Sequence, residues 1–394
     1  MKRVAILGGG PAGAFAAEQL AAGGLEVRLF DEKLAWEKPC GGGLTYKAYN
    51  RYPFLVHNSV PKRFVSETIL SAPTAGKASL KLSDPLLIYS RFDLNRLLLE
   101  RAERAGVSIE KAHVAGITRH GSAWRVETSL GAAEADFCVV ATGARNALRD
   151  FGTQLSAGDT MAALGYYVPG EQPQIDIQFL PRLEGYIWIF PRCGHLSVGI
   201  CGKGEQAGSL RKRLEGFMNE RGLPLQDARF YSHLLPSLNS TSWLTNRVAG
   251  DGWLAVGDAA GLVDPITGEG LYYALRSAEL AARVLLSDVS SLAERVNQYR
   301  RSLQRDFALD LEFGSRLARR IFHGRFLLES VPARMVQFTR RSPRFSAIMQ
   351  DLFAGRQSYR ELKRRLWRNL NGSLYEIAMS FGFRRIIPRQ AGAR

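Results

Sequence analysis

Residues 3–31, RVAILGGGPAGAFAAEQLAAGGLEVRLFD, place five features in one order that few folds satisfy. Val4–Leu7 is a short apolar run of the kind buried on both faces of a parallel sheet. Gly8, Gly10 and Gly13 follow in GxGxxG spacing; Pro11 and the alanine-rich run Ala14–Ala22 mark a helix start and a closely packed helix. LEVRLF reads as a second strand and ends at Asp31, 18 residues past Gly13. Glycine allows the tight turn and the close approach of a pyrophosphate. The helix N-terminus supplies unpaired N–H groups and the positive end of a dipole, and the acid accepts from ribose hydroxyls. The order predicts a parallel α/β sheet that holds a dinucleotide. It does not by itself choose between FAD and NAD.

Two later stretches bear on that choice. EADFCVVATGARNALRD (134–150) holds another buried strand, Phe137–Val140, running into Ala141–Gly143. WLAVGDAAGLVDPITGEGLYYALRSAELAARVL (253–285) gives a strand, Gly257-Asp258, a loop, and a long helix opened by GEG at 268–270. A helix N-terminus there favours a ring that becomes anionic on reduction, which favours a flavin. Asp258, just past a strand end, is placed to accept from a ribityl hydroxyl; the plainer alternative is a strand–loop–helix with an Asp cap.

The whole set resembles the group of FAD flavoproteins that includes aromatic hydroxylases, flavin halogenases and geranylgeranyl reductases. The resemblance covers about residues 1–290, and GDAAGLVDPITGEGLYYALRSAELAA is its most specific part. It implies an α/β fold: a Rossmann-type FAD-binding domain with an inserted, mainly antiparallel β-sheet substrate domain and a helical C-terminal region. It implies FAD contacts at Gly8, Gly10, Pro11, Ala12 and Gly13, at Asp31 and Glu32, at Gly42, Gly43 and Leu44, at Val114, and at Ala141, Thr142 and Gly143. Asp258, Gly268, Gly270 and Leu271 complete that set. Arg91, in YSRFDLNRLLLERAERAG (89–106), matches the group's arginine ahead of an amphipathic helix, at the ribityl–pyrophosphate region. One departure is that many hydroxylases carry a DG dipeptide where this chain has Ala141-Thr142-Gly143-Ala144-Arg145-Asn146.

Within the group, EKPCGGGLTYKA (37–48) is most similar to geranylgeranyl reductases, in which a cysteine followed by glycines lies beside the flavin's reacting face. Gly41–Gly43 would let the backbone pass against the ring where side chains would block substrate. Cys40, the candidate catalytic residue, would position an alkene or pass a proton, since an ordinary thiol is protonated at neutral pH. The other reading is a small buried hydrophobe. In EGYIWIFPRCGHLSVGI (184–200), Tyr186, Trp188 and Phe190 alternate with Ile187 and Ile189 and so share one strand face, which Pro191 ends. The segment is similar to the YxWxFP signature of geranylgeranyl reductases, so these four residues become the candidate substrate wall. Halogenases have a related segment, and an aromatic stripe also serves as plain core. His195 is a lone loop histidine with no catalytic pattern around it.

The nucleotide domain is expected to be discontinuous, over 1–60, 90–150 and 247–300. The substrate domain takes 61–89 and 151–246, with strands at 175–180, 186–190 and 195–200; residues 301–394 form a basic helical region. The net charge is +16, and residues 311–394 hold 18 Lys or Arg against 5 Asp or Glu. Three readings of that tail stand: a solvated helix pair covering the substrate cavity, a patch against an anionic membrane through Leu366, Trp367, Phe381 and Phe383, or nucleic-acid binding, which no known motif supports. Four cysteines, at 40, 138, 193 and 201, form no CxxC pair, so neither a disulfide framework nor a metal site is expected. The strand pattern starts near Met1 and no apolar run reaches ~18 residues, so the expectation is a cytoplasmic chain, peripheral on the membrane at most.

The resemblance implies an FAD-dependent oxidoreductase that reduces carbon–carbon double bonds of a prenyl lipid. With no second GxGxxG domain, NAD(P)H would bind transiently, or a small acidic redox protein would meet the basic surface. The alternatives are an FAD monooxygenase or halogenase acting on a hydrophobic or aromatic substrate, and a flavin carrier without turnover.

Overall fold

The computed structural model describes residues 1–148, 150–289 and 291–386, excepting the side chains at 370, 374, 375 and 377–386. A six-stranded sheet is built around the strand Arg3–Leu7, which pairs in parallel with Glu26–Phe30 on one side and with Phe137–Val140 on the other. Ser108–Glu110 and Trp253–Ala255 extend it in parallel, and Ala249–Gly250 closes one edge antiparallel. All four residues of Phe137–Val140 are buried, as a strand covered on both faces requires. The helix Pro11–Ala22 packs on this sheet, with Ala14, Ala16 and Ala17 fully buried where small side chains let neighbouring helices approach. The expected fold class is borne out.

The second sheet has eight strands. Lys62–Ala72 and Gly76–Tyr89 form a long hairpin, and Thr160–Pro169, Ile175–Phe179, Glu184–Pro191, His195–Lys203 and Arg229–Pro236 add to it. Its pairings are antiparallel except where Ile175–Gln178 runs parallel to Thr68–Ser71. Pro191 is the last residue of its strand, opposite Leu196, and lies on the face away from Tyr186, Trp188 and Phe190, so it does not join the wall expected of it. The short strand Gly43–Leu44 joins this larger sheet beside Ile88 and Leu87, which ties the glycine run to it. A separate three-stranded antiparallel sheet spans Val114–His120, Ala123–Thr128 and Gly131–Ala135.

The helices from Leu292 onward cover both sheets. Leu309–His323, Val331–Arg341, Pro343–Phe353 and Tyr359–Ile386 succeed one another, with a two-stranded hairpin, Arg325–Phe326 and Glu329–Ser330, between the first two. Val336, Phe338, Phe345 and Met349 pack onto the larger sheet's core. Leu366 also packs there, half-buried, which removes it from the outward face expected of it. Phe381 and Phe383 lie outside the described residues. No helix among the described residues is long and apolar enough to cross a membrane.

Candidate functional site

The first turn explains its own glycines. Gly8 has φ +114°, and a Cβ there would stand 2.4 Å from the Ala141 carbonyl oxygen; one on Gly13 would stand 1.9 Å from the Gly8 oxygen. Gly10 faces open space, with no atom within 4 Å of where its Cβ would be. Asp31 braces this turn from behind, accepting from the backbone N–H of Gly9 at 2.7 Å, Lys33 at 2.8 Å and Leu34 at 2.6 Å. Its bonds are therefore spent on the backbone, and Glu32, exposed beside His113, is the freer acid at the strand end. Val114 is half-buried at the start of its strand. Thr142 donates to Asn146 at 2.8 Å, and Gly143 turns at φ +82° with open space beside it.

Across the crevice stand Arg91 and Asp258. Arg91 is 3% exposed; one guanidinium nitrogen reaches Asn95 at 3.2 Å, while its Nε has no partner. Asp258, in the turn Gly257–Ala260, accepts from Lys38 Nζ at 3.1 Å. Burial pushes its carboxyl up, but the Lys38 cation beside it, with a contribution from His233, outweighs that and leaves it below the usual carboxylate range. The His233 imidazole is held well below its ordinary value by burial and by Lys38, and its Nε2 is also buried without a partner. Gly270 opens the helix Leu271–Leu285 with no side-chain cap, so the backbone N–H groups of that turn face the same crevice. A glycine cradle, two uncapped helix starts and an orphaned buried arginine fit a dinucleotide.

The cysteine–glycine loop is pinned by a buried charge pair. Arg192 is wholly buried, and its guanidinium donates to the Glu37 carboxylate and to the Cys40 carbonyl. Ser197 adds a second donor to that carbonyl at 3.2 Å. Glu37 also accepts from the Ser90 hydroxyl at 2.6 Å and from the N–H groups of Arg91 at 2.9 Å and Phe92 at 3.1 Å, so it caps the helix Arg91–Arg104 from another segment. The Cys40 Sγ itself accepts from the Gly42 N–H at 3.3 Å. Each glycine has a protein neighbour that crowds a side chain, and at Gly42 the backbone excludes one. Cβ atoms on Gly41 and Gly43 would lie 3.1 and 2.9 Å from the Phe190 ring, and one on Gly42, at φ +79°, would lie 2.1 Å from the Tyr89 oxygen. Packing against Phe190 and Tyr89 thus constrains the glycine run, which also lines the cavity.

A cavity of about 520 Å³ runs from the Gly10–Ala12 turn, past Lys38–Gly43 and Asp258, into an apolar chamber. Tyr186, Trp188 and Phe190 form one wall, and Ile177, Phe179 and Leu235 continue it. The Trp188 ring lies over Gly199, where a Cβ would come within 2.3 Å of it. The Tyr186 hydroxyl donates to the Thr267 carbonyl and so joins the wall to the GEG loop. The roof comes from the C-terminal helices through Phe322, Met335, Met349 and Phe353. At one rim sits Glu269, which lies between the two glycines expected to matter. It accepts from Thr45 at 2.7 Å, and Lys47 stands 3.8 Å away while donating to Tyr273 at 3.3 Å. Burial raises its carboxyl above the usual range against the pull of Lys47 and Thr45. The neighbouring Asp264 accepts from Tyr359 at 2.7 and 2.8 Å. Among the described residues no group of His, Cys, Asp or Glu is placed to hold a metal ion.

The structure thus brings Cys40, the aromatic wall, Arg91, Asp258 and the GEG turn around one cavity, adds His233 and Glu269 to its lining, and sets Glu37 and Arg192 behind the Cys40 loop. Only Glu269 carried a sequence signal, as a charged residue between two helix-opening glycines. No protein-family model matches the chain. It is 28% identical over 313 residues to the chloroplastic geranylgeranyl diphosphate reductase of Arabidopsis thaliana, covering 72% of this chain and 65% of that one. It is 28% identical over 318 residues to digeranylgeranylglycerophospholipid reductase 2 of Methanothermobacter thermautotrophicus, covering 73% and 78%. The solved structure of a geranylgeranyl bacteriochlorophyll reductase-like protein of Thermoplasma acidophilum shares the fold, with a TM-score of 0.76 at 20% identity over 93% of this chain and 99% of that one. The resemblance read from the motifs is borne out.

Proposed function

We propose that this protein is an FAD-dependent oxidoreductase that reduces carbon–carbon double bonds of a prenyl lipid. The observation that carries the reading is the continuity of the cavity: a glycine-lined cradle with the buried Arg91, whose Nε has no partner, leads directly into an apolar chamber. Relatives named for geranylgeranyl substrates support it. Gly8, Gly10, Pro11, Ala12 and Gly13 would hold the pyrophosphate, Arg91 and Asp258 the ribityl side, and Gly42, Gly43, Gly268, Gly270 and Leu271 the ring. Reduced FAD, when bound, supplies the hydride for one alkene carbon.

The chain's own residues do the rest. Tyr186, Trp188 and Phe190 hold the hydrocarbon and exclude water from the reacting carbons. The clamp of Glu37 and Arg192 fixes the backbone at Cys40, so the thiol stays at the junction of cradle and chamber. The second alkene carbon needs a proton, and two groups on the cavity wall can hold one: the Cys40 thiol and the Glu269 carboxyl. Lys47, partly exposed, links Glu269 to solvent for its return. Electrons arrive from NAD(P)H bound transiently or from a small acidic redox protein drawn to the basic surface. A lipid surface is where such a substrate would be met.

The test is anaerobic turnover of the purified, yellow protein with dithionite and a geranylgeranyl lipid, followed by mass spectrometry. Gains of two hydrogens per double bond are expected. A colourless protein that takes up no added FAD, or turnover that requires oxygen, defeats the reading.

A further inference from the structure

The hairpin Arg325–Phe326/Glu329–Ser330 turns through two residues only, Leu327 and Leu328. Their φ angles are +49° and +67°, a left-handed pair at a position where asparagine and glycine are favoured. Leucine resists this backbone and gains nothing by standing in water, yet Leu328 is 93% exposed and Leu327 52%, with Phe326 exposed beside them. Three consecutive apolar side chains thus stand out at the end of a turn whose backbone favours small polar residues.

The carbonyls of that turn do not depend on water. Arg334 donates to the Phe326 oxygen at 3.2 Å and to the Leu327 oxygen, and Arg325 donates to the Leu328 oxygen at 3.3 Å. A turn whose acceptors are already filled can leave bulk water without losing those bonds. Arg319 and Arg320, near the end of the helix that precedes the hairpin, and Arg325, in its first strand, are exposed. A protruding apolar tip in a cationic collar is complementary to a bilayer with anionic headgroups. The residues flanking the hairpin point to the same partner: Ile321 and Phe322 just before it and Met335 just after it line the substrate cavity.

We propose that this hairpin is a membrane anchor, inserting Phe326, Leu327 and Leu328 among the acyl chains of an anionic bilayer while its arginines meet the headgroups. The roof helices that flank it are then held at the surface from which a prenyl chain would enter. The proposal draws on the prenyl-lipid reading only for why a membrane would be visited.

The experiment is flotation of the full-length protein with vesicles of phosphatidylcholine, alone or with phosphatidylglycerol. The wild type is expected with the anionic vesicles. The double variant Leu327→Asn/Leu328→Gly supplies a better turn, so its melting temperature should equal or exceed that of the wild type. Its partitioning should fall about tenfold or more. Arg319→Gln/Arg320→Gln should lower binding to anionic vesicles roughly fivefold per arginine while leaving weak binding to neutral ones. Equal flotation of wild type and double variant overturns the anchor. So does indifference of the wild type to anionic lipid, or loss of binding in Trp367→Ala alone. None of these arms uses turnover, so failure of the anchor and failure of the reductase reading are told apart.

Discussion

The cradle and the chamber share one cavity but are specified in different ways. The cradle is a matter of backbone: Gly8 and Gly13 are required by main-chain oxygens 2.4 and 1.9 Å from where a Cβ would be, and the acid that braces the turn, Asp31, bonds only main-chain N–H groups. The chamber is a matter of side chains gathered from afar: Trp188 over Gly199, Phe190 between Gly41 and Gly43, Met335 and Met349 overhead. A backbone site tolerates almost no change at its few key positions. A side-chain site can be retuned, because its volume is the sum of many replaceable parts.

The sharpest way to break this contrast is Gly13→Val. A Cβ there collides with main chain that cannot move, so FAD content should fall to background and stability by about 4 kcal/mol, read from flavin absorbance and urea unfolding. Survival of the yellow colour would mean that the cradle is as adaptable as the chamber. Arg192→Met comes next, at the seam. It leaves Glu37 and the Cys40 carbonyl buried without their cation and should cost about 3 kcal/mol, with turnover falling more than flavin affinity.

Glu269→Gln sharpens the contrast on the chamber side. The fold should hold and flavin reduction should be unchanged, while prenyl turnover falls ~10²-fold if the carboxyl gives the proton. Because this group is raised by burial, its donor form persists to higher pH than that of an ordinary carboxyl. Wild-type turnover should decline as pH rises through the raised pKa, and the variant should lack that limb. An unchanged rate in the variant would leave Cys40 as the proton source.

The smallest effect is expected at Glu279→Gln, where Arg51, Tyr52 and Arg276 donate to one carboxylate and tie the helix Tyr46–Arg51 to Leu271–Leu285. Burial opposes the shift, but these donors lower the carboxyl to about 2. Its contribution is therefore complete above the unfolded pKa and lost as pH falls toward about 2. Solvent screening limits it to about 1 kcal/mol, so melting should drop by ~2 °C at neutral pH and the acid loss should flatten.

The same contrast explains what the sequence disclosed. The turn at 8–13, the strand Phe137–Val140 and the alternation of Tyr186, Trp188 and Phe190 are local, set by spacings of a few residues, and were legible. Arg192 meets Glu37 across 155 residues, and Tyr359 meets Asp264 across 95. No periodicity announces such pairs, because only the packing of two sheets brings them together. The glycine run was legible as a constraint, whereas its contacts with Phe190 and Tyr89 were not, because those residues lie in other strands. The tail's charge was visible, and of its named apolar residues Trp367 is exposed while Leu366 is half-buried. The exposed pair Leu327-Leu328 was not visible, because only its backbone angles make it unusual.

The roof over the chamber is made after its walls. Walls and floor are complete by residue 274, whereas Phe307, Phe322, Met335, Met349 and Phe353 follow. A polypeptide emerging from the ribosome therefore presents an open trough before it presents a closed room. Whatever is too large to slip beneath the finished helices has its widest opportunity to enter during synthesis.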